Sequence, residues 1–84
     1  EFNFKQSAKD LLITSQLRSA LIFNKKTKAV NYSIDTYKEK IYIYGIAETS
    51  DEREEAINEA KQILDVKDVI ASILLVEDLR IQKN

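Results

Sequence analysis

The chain has 84 residues, of which 44% are hydrophobic, and its 13 basic and 14 acidic side chains give a net charge of −1. It contains one glycine and no proline, cysteine or histidine, which excludes a disulfide framework, the usual zinc ligands and Cys–His or Ser–His–Asp catalysis. A chain of this length forms one domain with a modest core, and the scarcity of glycine and proline predicts regular elements with short connections.

The first predicted element is a helix that begins at Ser7 and ends at Phe23. Ser7, followed three residues later by Asp10, resembles a capping box in which Asp takes the place of Glu. Leu12 and Phe23 lie away from the centre of the apolar stripe that would face the core. That stripe consists of four residues at helical spacing, Ile13, Leu17, Ala20 and Leu21.

A polar, basic connection over residues 24–28 leads to a predicted strand over residues 30–37. Alternation of β-branched and aromatic residues places one set on the core face, namely Val30, Tyr32, Ile34 and Thr36. Residues 38–40 are polar but lack the Asn-Gly chemistry of a tight hairpin turn. A second strand over residues 41–47 is apolar on both faces and should be central. Gly45 within it indicates a bulge or a close helix crossing.

A second helix is expected after a cap at Thr49 or Ser50, because Thr49 and Glu52 stand at capping-box spacing. Asp51 and Glu52 then lie in the first turn, where the helix dipole favours acidic groups. The predicted apolar stripe of this helix comprises Ala56, Ile57, Ala60, Ile63 and Leu64. Residues 65–68 connect it to a third strand over residues 69–76, and residues 79–84 read as a tail.

The order helix, strand, strand, helix, strand predicts a single α+β domain in which both helices pack on one face of a three-stranded mixed sheet. The first two strands form a hairpin, and a right-handed crossover makes the third strand parallel to the second. We place this domain at residues 7–77, between an N-terminal tail (1–6) and a C-terminal tail (78–84). Residues 1–2 are left out of the fold prediction as a candidate cloning scar.

Four stretches carry a resemblance to a known family. They are Asp10-x-x-Ile13-x-x-x-Leu17-Arg18-x-Ala20-Leu21, Tyr32-x-Ile34-x-Thr36 with Ile41-x-Ile43-x-Gly45-x-Ala47, Glu55-Ala56 with Ala60, and Val66-x-x-Val69 with Ile73-x-Leu75. In this order and spacing they resemble the BON domain family. Glu39 and Asp65 stand where that family usually has glycine. We expect Glu39 to give a different or looser hairpin turn, whereas Asp65 tolerates a left-handed helix end.

The resemblance implies a non-catalytic module of the bacterial envelope that binds phospholipid or attaches to membrane surfaces, without a cofactor. It further implies a location in the periplasm or at the periphery of the outer membrane. The predicted first helix looks most like the second copy in two-copy envelope lipoproteins.

Charge and hydrophobicity indicate a candidate lipid-binding surface on the first helix and the connection after it. Residues 1–42 carry a net charge of +4 and residues 43–84 a net charge of −5. The candidate residues are Leu12, Arg18, Phe23, Lys25, Lys26 and Lys28. Each basic residue near an anionic surface contributes about 1 kcal/mol, and the two apolar side chains could insert. In the alternative interpretation, the lysines are merely solvated and Leu12 or Phe23 packs inward at the helix ends.

A second candidate surface is the outer face of the sheet, where an aromatic and aliphatic patch would mark a protein interface. Its predicted residues are Tyr37, Tyr42, Tyr44, Ile46, Ile70 and Leu74. The partner would be a tandem BON copy or a second copy of the chain. In the alternative interpretation these are ordinary exposed residues of an open sheet.

Other function classes have little support in the sequence. Glu54, Glu55 and Glu59 lie on a predicted solvated helix face rather than in an apolar pocket that would raise a carboxyl pKa for catalysis. A calcium loop needs more oxygen ligands at regular spacing. The pI of about 5.4 and the small lysine cluster argue against nucleic-acid binding. We therefore expect neither catalysis nor a bound metal.

Overall fold

A computed structural model describes residues 4–81 of the chain. Its elements in chain order are α1 (Phe4–Phe23), a 3₁₀ turn (Ala29–Asn31), β1 (Tyr32–Tyr37), β2 (Lys40–Ala47), α2 (Ser50–Lys61), β3 (Asp68–Leu75) and α3 (Val76–Ile81). The predicted α+β fold with a three-stranded mixed sheet is confirmed, and α3 is an addition to it.

The sheet has the strand order β1-β2-β3, so β2 is central as predicted. β1 and β2 are antiparallel, and Tyr44 of β2 lies opposite Ser33 of β1. β3 runs parallel to β2 and places Ser72 on the other side of the same tyrosine. The crossover through α2 therefore returns the chain to the side of β2 that β1 leaves free.

One hydrophobic core lies between the sheet and the helices α1 and α2. Its largest fully buried side chains are Leu17, Leu21, Ile41 and Ile43, two from α1 and two from β2. The second helix contributes Ala56 and Ala60, whose small side chains are also fully buried and let its backbone approach the sheet. Burying each large aliphatic side chain stabilises the fold by about 1.5–3 kcal/mol.

The first helix begins at Phe4, three residues before the predicted cap at Ser7. The predicted capping role of Asp10 is therefore wrong. Asp10 is buried, and its carboxylate accepts the backbone N–H groups of Lys38 at 2.8 Å and Glu39 at 2.9 Å. The side-chain amide of Gln6 donates to the same carboxylate at 3.1 Å. Asp10 thus joins α1 to the hairpin turn.

Of the two outcomes expected from Glu39, a different or a looser hairpin turn, the looser one is wrong, because the turn is tight. Lys38 and Glu39 have φ of 51° and 68°, the left-handed backbone of a two-residue type I′ turn. The carboxylate of Glu39 pairs with Lys9 at 2.7 Å and with Lys67 at 3.0 Å. These ion pairs, and the bonds to Asp10, offset the cost of the left-handed conformation in residues other than glycine.

Several predicted boundaries shift in the structure. β1 begins at Tyr32, so Val30 belongs to the 3₁₀ turn and is 93% exposed rather than part of the core. α2 ends at Lys61, and Leu64 beyond it is exposed rather than on the apolar stripe. Asp65 has the left-handed backbone that was expected, with φ of 70°.

The chain continues as helix α3 over Val76–Ile81, where an irregular tail was predicted. β3 accordingly ends at Leu75, one residue before the predicted end. Residues 82–84 and residues 1–3, which include the candidate cloning scar, lie outside the described residues.

Gly45 is required by the close approach of neighbouring backbone. It lies opposite Tyr32, and a Cβ on Gly45 would overlap the carbonyl oxygen of Asn31 and lie 2.8 Å from the Tyr32 ring. The neighbours are thus the 3₁₀ turn and the first residue of β1. The expected helix crossing is not the reason for this glycine.

Candidate functional site

The solvent side of α1 carries a continuous uncharged row of side chains. We call this row the outer stripe of α1, and it consists of Phe4, Ala8, Leu11, Leu12, Ser15, Ser19, Ile22 and Phe23. Its members recur every three or four residues and are all exposed. Leu11, Leu12, Ile22 and Phe23 are between 57% and 83% exposed. The helix is therefore apolar on the side that faces away from the core as well as on the core side.

The side chains of Leu12 and Phe23 both point to solvent, so the alternative in which either of them packs inward is wrong. Lipid binding by these residues stays a prediction. Leu11 and Ile22 were missed as candidate residues. They share the spacing of Leu12 and Phe23, and a helical projection of the leftover apolar residues would have revealed them.

Every exposed charge on α1 is basic. These charges belong to Lys5, Lys9 and Arg18, whereas the acidic side chain of this helix, Asp10, is buried against the hairpin turn. The Glu39 carboxylate, by its hydrogen bond and its charge, raises the pKa of Lys9 above its ordinary value. Glu39 also offsets the charge of Lys9, so the positive charge beside the outer stripe comes chiefly from Lys5 and Arg18, for which no ion pair is seen within residues 4–81.

The lysines after α1 are exposed, as predicted, but two of them have acidic neighbours. Lys28 pairs with Glu48 at 3.1 Å and Lys26 approaches Glu55 at 3.9 Å. Exposed ion pairs of this kind contribute little to stability, but they reduce the local positive charge. Within residues 4–81, Lys25 makes no ion pair.

The connection after α1 is held firmly against α2. The side-chain amide of Asn24 donates to Glu55 at 3.0 Å and to Glu59 at 2.8 Å. The hydroxyl of Thr27 donates to the carbonyl of Leu21 at 2.7 Å and so provides a hydrogen-bond partner for a carbonyl group at the C-terminal end of α1. The end of the outer stripe and the lysines therefore sit on a fixed part of the molecule.

Glu52 links α2 to β1 and to the same connection. Its backbone N–H donates to Thr49 at 3.2 Å, which confirms the predicted helix cap. Its buried carboxylate accepts the Tyr32 hydroxyl at 2.8 Å and the backbone N–H groups of Glu48 at 3.0 Å and Lys28 at 3.2 Å. Burial raises the pKa of Glu52, but these hydrogen bonds outweigh it and the pKa is lowered. The pKa of Tyr32 is raised by burial and by this bond.

The outer face of the sheet carries the second predicted set of residues. Tyr42 is half-buried, and the exposed members are Tyr37, Tyr44, Ile46, Ile70 and Leu74. All six lie on the face opposite the helices, as their register positions show. The structure thus brings them together on one surface, separate from the outer stripe of α1.

A shallow groove of about 360 Å³ runs between α1 and β1. Its walls include Leu11, Asp10 and Asp35, and its floor holds the hydroxyls of Thr14 and Thr36, which lie 2.7 Å apart. Both oxygens of Asp10 accept backbone N–H groups of the hairpin turn. Asp10 therefore has a structural role in this groove, where it links α1 to the hairpin turn.

The sequence matches the BON domain family over residues 9–77, which is most of the chain. The chain belongs to the BON domain family. It is also 33% identical over 75 residues to an uncharacterized protein from the gshII 5′ region of Anaplasma centrale, an alignment that covers 89% of this chain and 50% of that protein. The chain thus spans about half the length of this curated relative.

Family membership sets the class of function. BON domains occur in bacterial periplasmic or envelope proteins and are generally non-enzymatic modules that bind lipid or protein. Within residues 4–81, no helix combines the length and hydrophobicity that crossing a bilayer requires.

Proposed function

We propose that this domain attaches to anionic phospholipid surfaces through the outer stripe of α1. The observation that supports this proposal is an exposed apolar row whose neighbouring charges on the helix are all basic. A helix with these properties lies in the plane of the interface, with its apolar side chains in the boundary between headgroups and acyl chains.

The energetics favour reversible attachment. Transfer of one large aliphatic or aromatic side chain out of water contributes about 1.5–3 kcal/mol when burial is complete. Each basic side chain near an anionic surface adds about 1 kcal/mol. Arg18 and Lys25 make no ion pair in the described part of the chain, so they contribute most of this electrostatic attraction to the anionic surface. Lys26 and Lys28 contribute less, because Glu55 and Glu48 offset their charge.

In the cell, this function fits a periplasmic module at the periphery of the outer membrane. The likeness of α1 to the second copy in two-copy envelope lipoproteins supports such a context. In a longer protein of that kind, a lipid anchor elsewhere would hold the domain near the membrane, and α1 would select the anionic surface.

Vesicle flotation tests the proposal directly. Vesicles of phosphatidylglycerol mixed with phosphatidylcholine should carry the protein to the top of a density gradient, and pure phosphatidylcholine vesicles should carry much less. Binding should weaken as salt rises, because screening removes the headgroup attraction. Equal and negligible flotation with both vesicles would overturn the proposal.

Matched substitutions locate the binding surface. Leu12→Ser removes an apolar side chain from the outer stripe and should weaken binding about tenfold, equivalent to about 1.4 kcal/mol. Leu64→Ser makes the same change at a more exposed position outside the stripe and should leave binding unchanged. Arg18→Glu should weaken binding to anionic vesicles, whereas Lys61→Glu at the end of α2 serves as its control.

A second candidate function is protein interaction through the outer face of the sheet. It is favoured by the exposure of Tyr37 (62%) and Leu74 (60%) on the face of the sheet opposite the helices. A tandem BON copy or a second copy of the chain would cover this patch. Concentration-dependent chemical-shift changes at Tyr44 and Leu74 would support it, and shifts confined to α1 on addition of anionic micelles would support lipid binding.

A further inference from the structure

The two free edges of the sheet differ in how they are protected. β1 is six residues long, is bordered by α1 across the groove, and carries the exposed charge of Asp35. β3 is eight residues long, and between Val69 and Leu75 it has no charged residue, proline or glycine. Natural sheets usually blunt an edge with such residues, because an open apolar edge pairs with other strands.

β3 also leaves apolar side chains exposed on both of its faces. Ile70 and Leu74 are exposed on the outer face. Ala71 is on the helix side, opposite the fully buried Ile43, and yet it is exposed. The helix layer therefore stops short of the β3 edge, and a further strand placed there would remove apolar surface from water on both faces.

We propose that β3 pairs with β3 of a second copy of this chain, antiparallel and around a two-fold axis at Ser72. In this register Ile70 lies opposite Leu74 of the other copy, Ala71 opposite Ile73, and Val69 opposite Leu75. Apolar side chains meet apolar side chains on both sides of Ser72, which faces its own copy at the axis, and this is the self-complementarity that a two-fold interface requires. Registers centred one residue away align fewer apolar pairs.

The surface area that the paired strands bury determines how strongly the two copies associate. Pairing of one eight-residue strand buries less than the roughly 1,200–2,000 Å² of a standard stable interface, so the dimer is weak and concentration-dependent. In this register Glu77 lies opposite Lys67 of the other copy and Asp68 lies opposite Val76, so the ends of the paired strands carry charges of both signs. The association depends mainly on apolar contacts, and added salt should change it much less than it changes lipid binding.

A dimer of this geometry has a functional consequence that rests on the proposed function. A two-fold axis perpendicular to the joined sheet keeps both helix layers on the same side. The two outer stripes of α1 then face the same direction at opposite ends of a six-stranded sheet. One membrane surface could engage both, and the second contact would benefit from a high effective concentration.

Cysteine cross-linking in the absence of lipid tests the pairing. The chain has no cysteine, so Ser72→Cys introduces a single thiol at the proposed axis. Residues directly opposite in antiparallel strands have Cα atoms about 4.5–5.5 Å apart, which a disulfide can bridge. Ser33→Cys is the matched control, because Ser33 and Ser72 are both exposed and flank Tyr44 on either side. Ser72→Cys should form covalent dimers at least about tenfold faster than Ser33→Cys at equal concentration.

Sedimentation equilibrium of the uncross-linked chain provides the second measurement. The parent protein should show a monomer–dimer equilibrium, which Ser72→Lys weakens because two like charges then lie directly opposite. Ser33→Lys adds the same charge beside the same tyrosine and should leave the equilibrium unchanged. Two-dimensional NMR spectra establish that each variant is folded.

Several outcomes would overturn the proposal. Equal weakening by both lysine variants would assign the contact to the outer face of the sheet. Oligomers larger than dimers would indicate head-to-tail pairing of β3 with β1. A strict monomer with equal cross-linking rates would exclude pairing. Failure of vesicle flotation alone would contradict the proposed function but not the dimer.

Discussion

The buried carboxylate of Asp10 accepts a hydrogen bond of 2.9 Å from the backbone N–H of Glu39, which joins α1 to the hairpin turn. The same carboxylate accepts the backbone N–H of Lys38. A type I′ turn without asparagine or glycine is intrinsically costly. One side chain from a distant helix therefore stabilises a turn that the local sequence disfavours.

Asp10→Ala should lower the free energy of unfolding by about 2–3 kcal/mol, because it leaves the buried N–H of Glu39 and the partly buried N–H of Lys38 without acceptors. Asp35→Ala, an exposed aspartate on the neighbouring strand, should change it by less than about 0.5 kcal/mol. Urea unfolding followed by circular dichroism measures both. Similar stability of the two variants would show that the turn does not depend on Asp10.

Lys38→Asn should stabilise the protein by about 0.5–1 kcal/mol, because asparagine tolerates the left-handed conformation better than lysine. The gain is partly offset by loss of the contact between the Lys38 ammonium and the Tyr37 ring, whose centroid lies 5.4 Å away. Lys40→Asn makes the same exchange in extended backbone and should not stabilise. A Tm for Lys38→Asn at or below that of Lys40→Asn would contradict this account.

Stability should fall in acid because the pKa values of Glu39 and Glu52 are lowered in the folded state. A carboxyl with a depressed pKa contributes stability above its unfolded value of about 4.3, and this contribution is lost as pH falls through the folded value. The free energy of unfolding should therefore be nearly constant from about pH 7 to 5 and decrease below about pH 4.3.

Glu52→Gln tests this origin of the acid sensitivity. It should lower stability at pH 7 and make the decrease below about pH 4.3 shallower, because one of the two carboxyls with a lowered pKa is gone while Glu39 remains. Glu54→Gln, on the exposed side of the same helix, should show the same decrease in the free energy of unfolding at low pH as the parent protein. Chemical unfolding at a series of pH values measures both, and an unchanged acid limb in Glu52→Gln would refute the assignment.

Gly45→Ala should destabilise the fold by about 2–3 kcal/mol or more, because the added Cβ meets the backbone of Asn31 and that backbone must move. Thermal unfolding measures the loss. Amide chemical shifts should change most at Asn31 and Tyr32, if the variant folds. A loss below about 0.5 kcal/mol would mean that the two backbones separate at little cost.

Most of the fold was predictable because it depends on local patterns. The alternation in β1, the apolar run of β2 and the cap at Thr49 each lie within a few residues and led to the observed element order. The pairing of β3 parallel to β2 was predicted from the helix between them, because a strand–helix–strand crossover joins parallel strands. The spacing of Ser7 and Asp10 predicted the wrong start for α1. Asp10 does not cap the helix, because its carboxylate accepts the backbone N–H of Glu39, 29 residues away.

The candidate site was predictable in part. Leu12 and Phe23 were identified as off the core stripe, and the structure places them in solvent. Leu11 and Ile22 were missed, although their spacing was visible in the sequence. Ion pairing of Lys28 with Glu48 depends on tertiary contact and could not be seen in the local charge pattern. Which surfaces bind partners remains a prediction for both sets of residues.

The presence of apolar residues on both sides of α1 has a consequence for how the chain selects one structure. A helix that is hydrophobic on opposite faces could pack against the sheet in two orientations related by rotation about its own axis. Asp10 lies on only one of those faces and reaches the hairpin turn only when that face is turned inward. The polar contact thus distinguishes the native orientation from its competitor, a choice that hydrophobic burial alone leaves ambiguous.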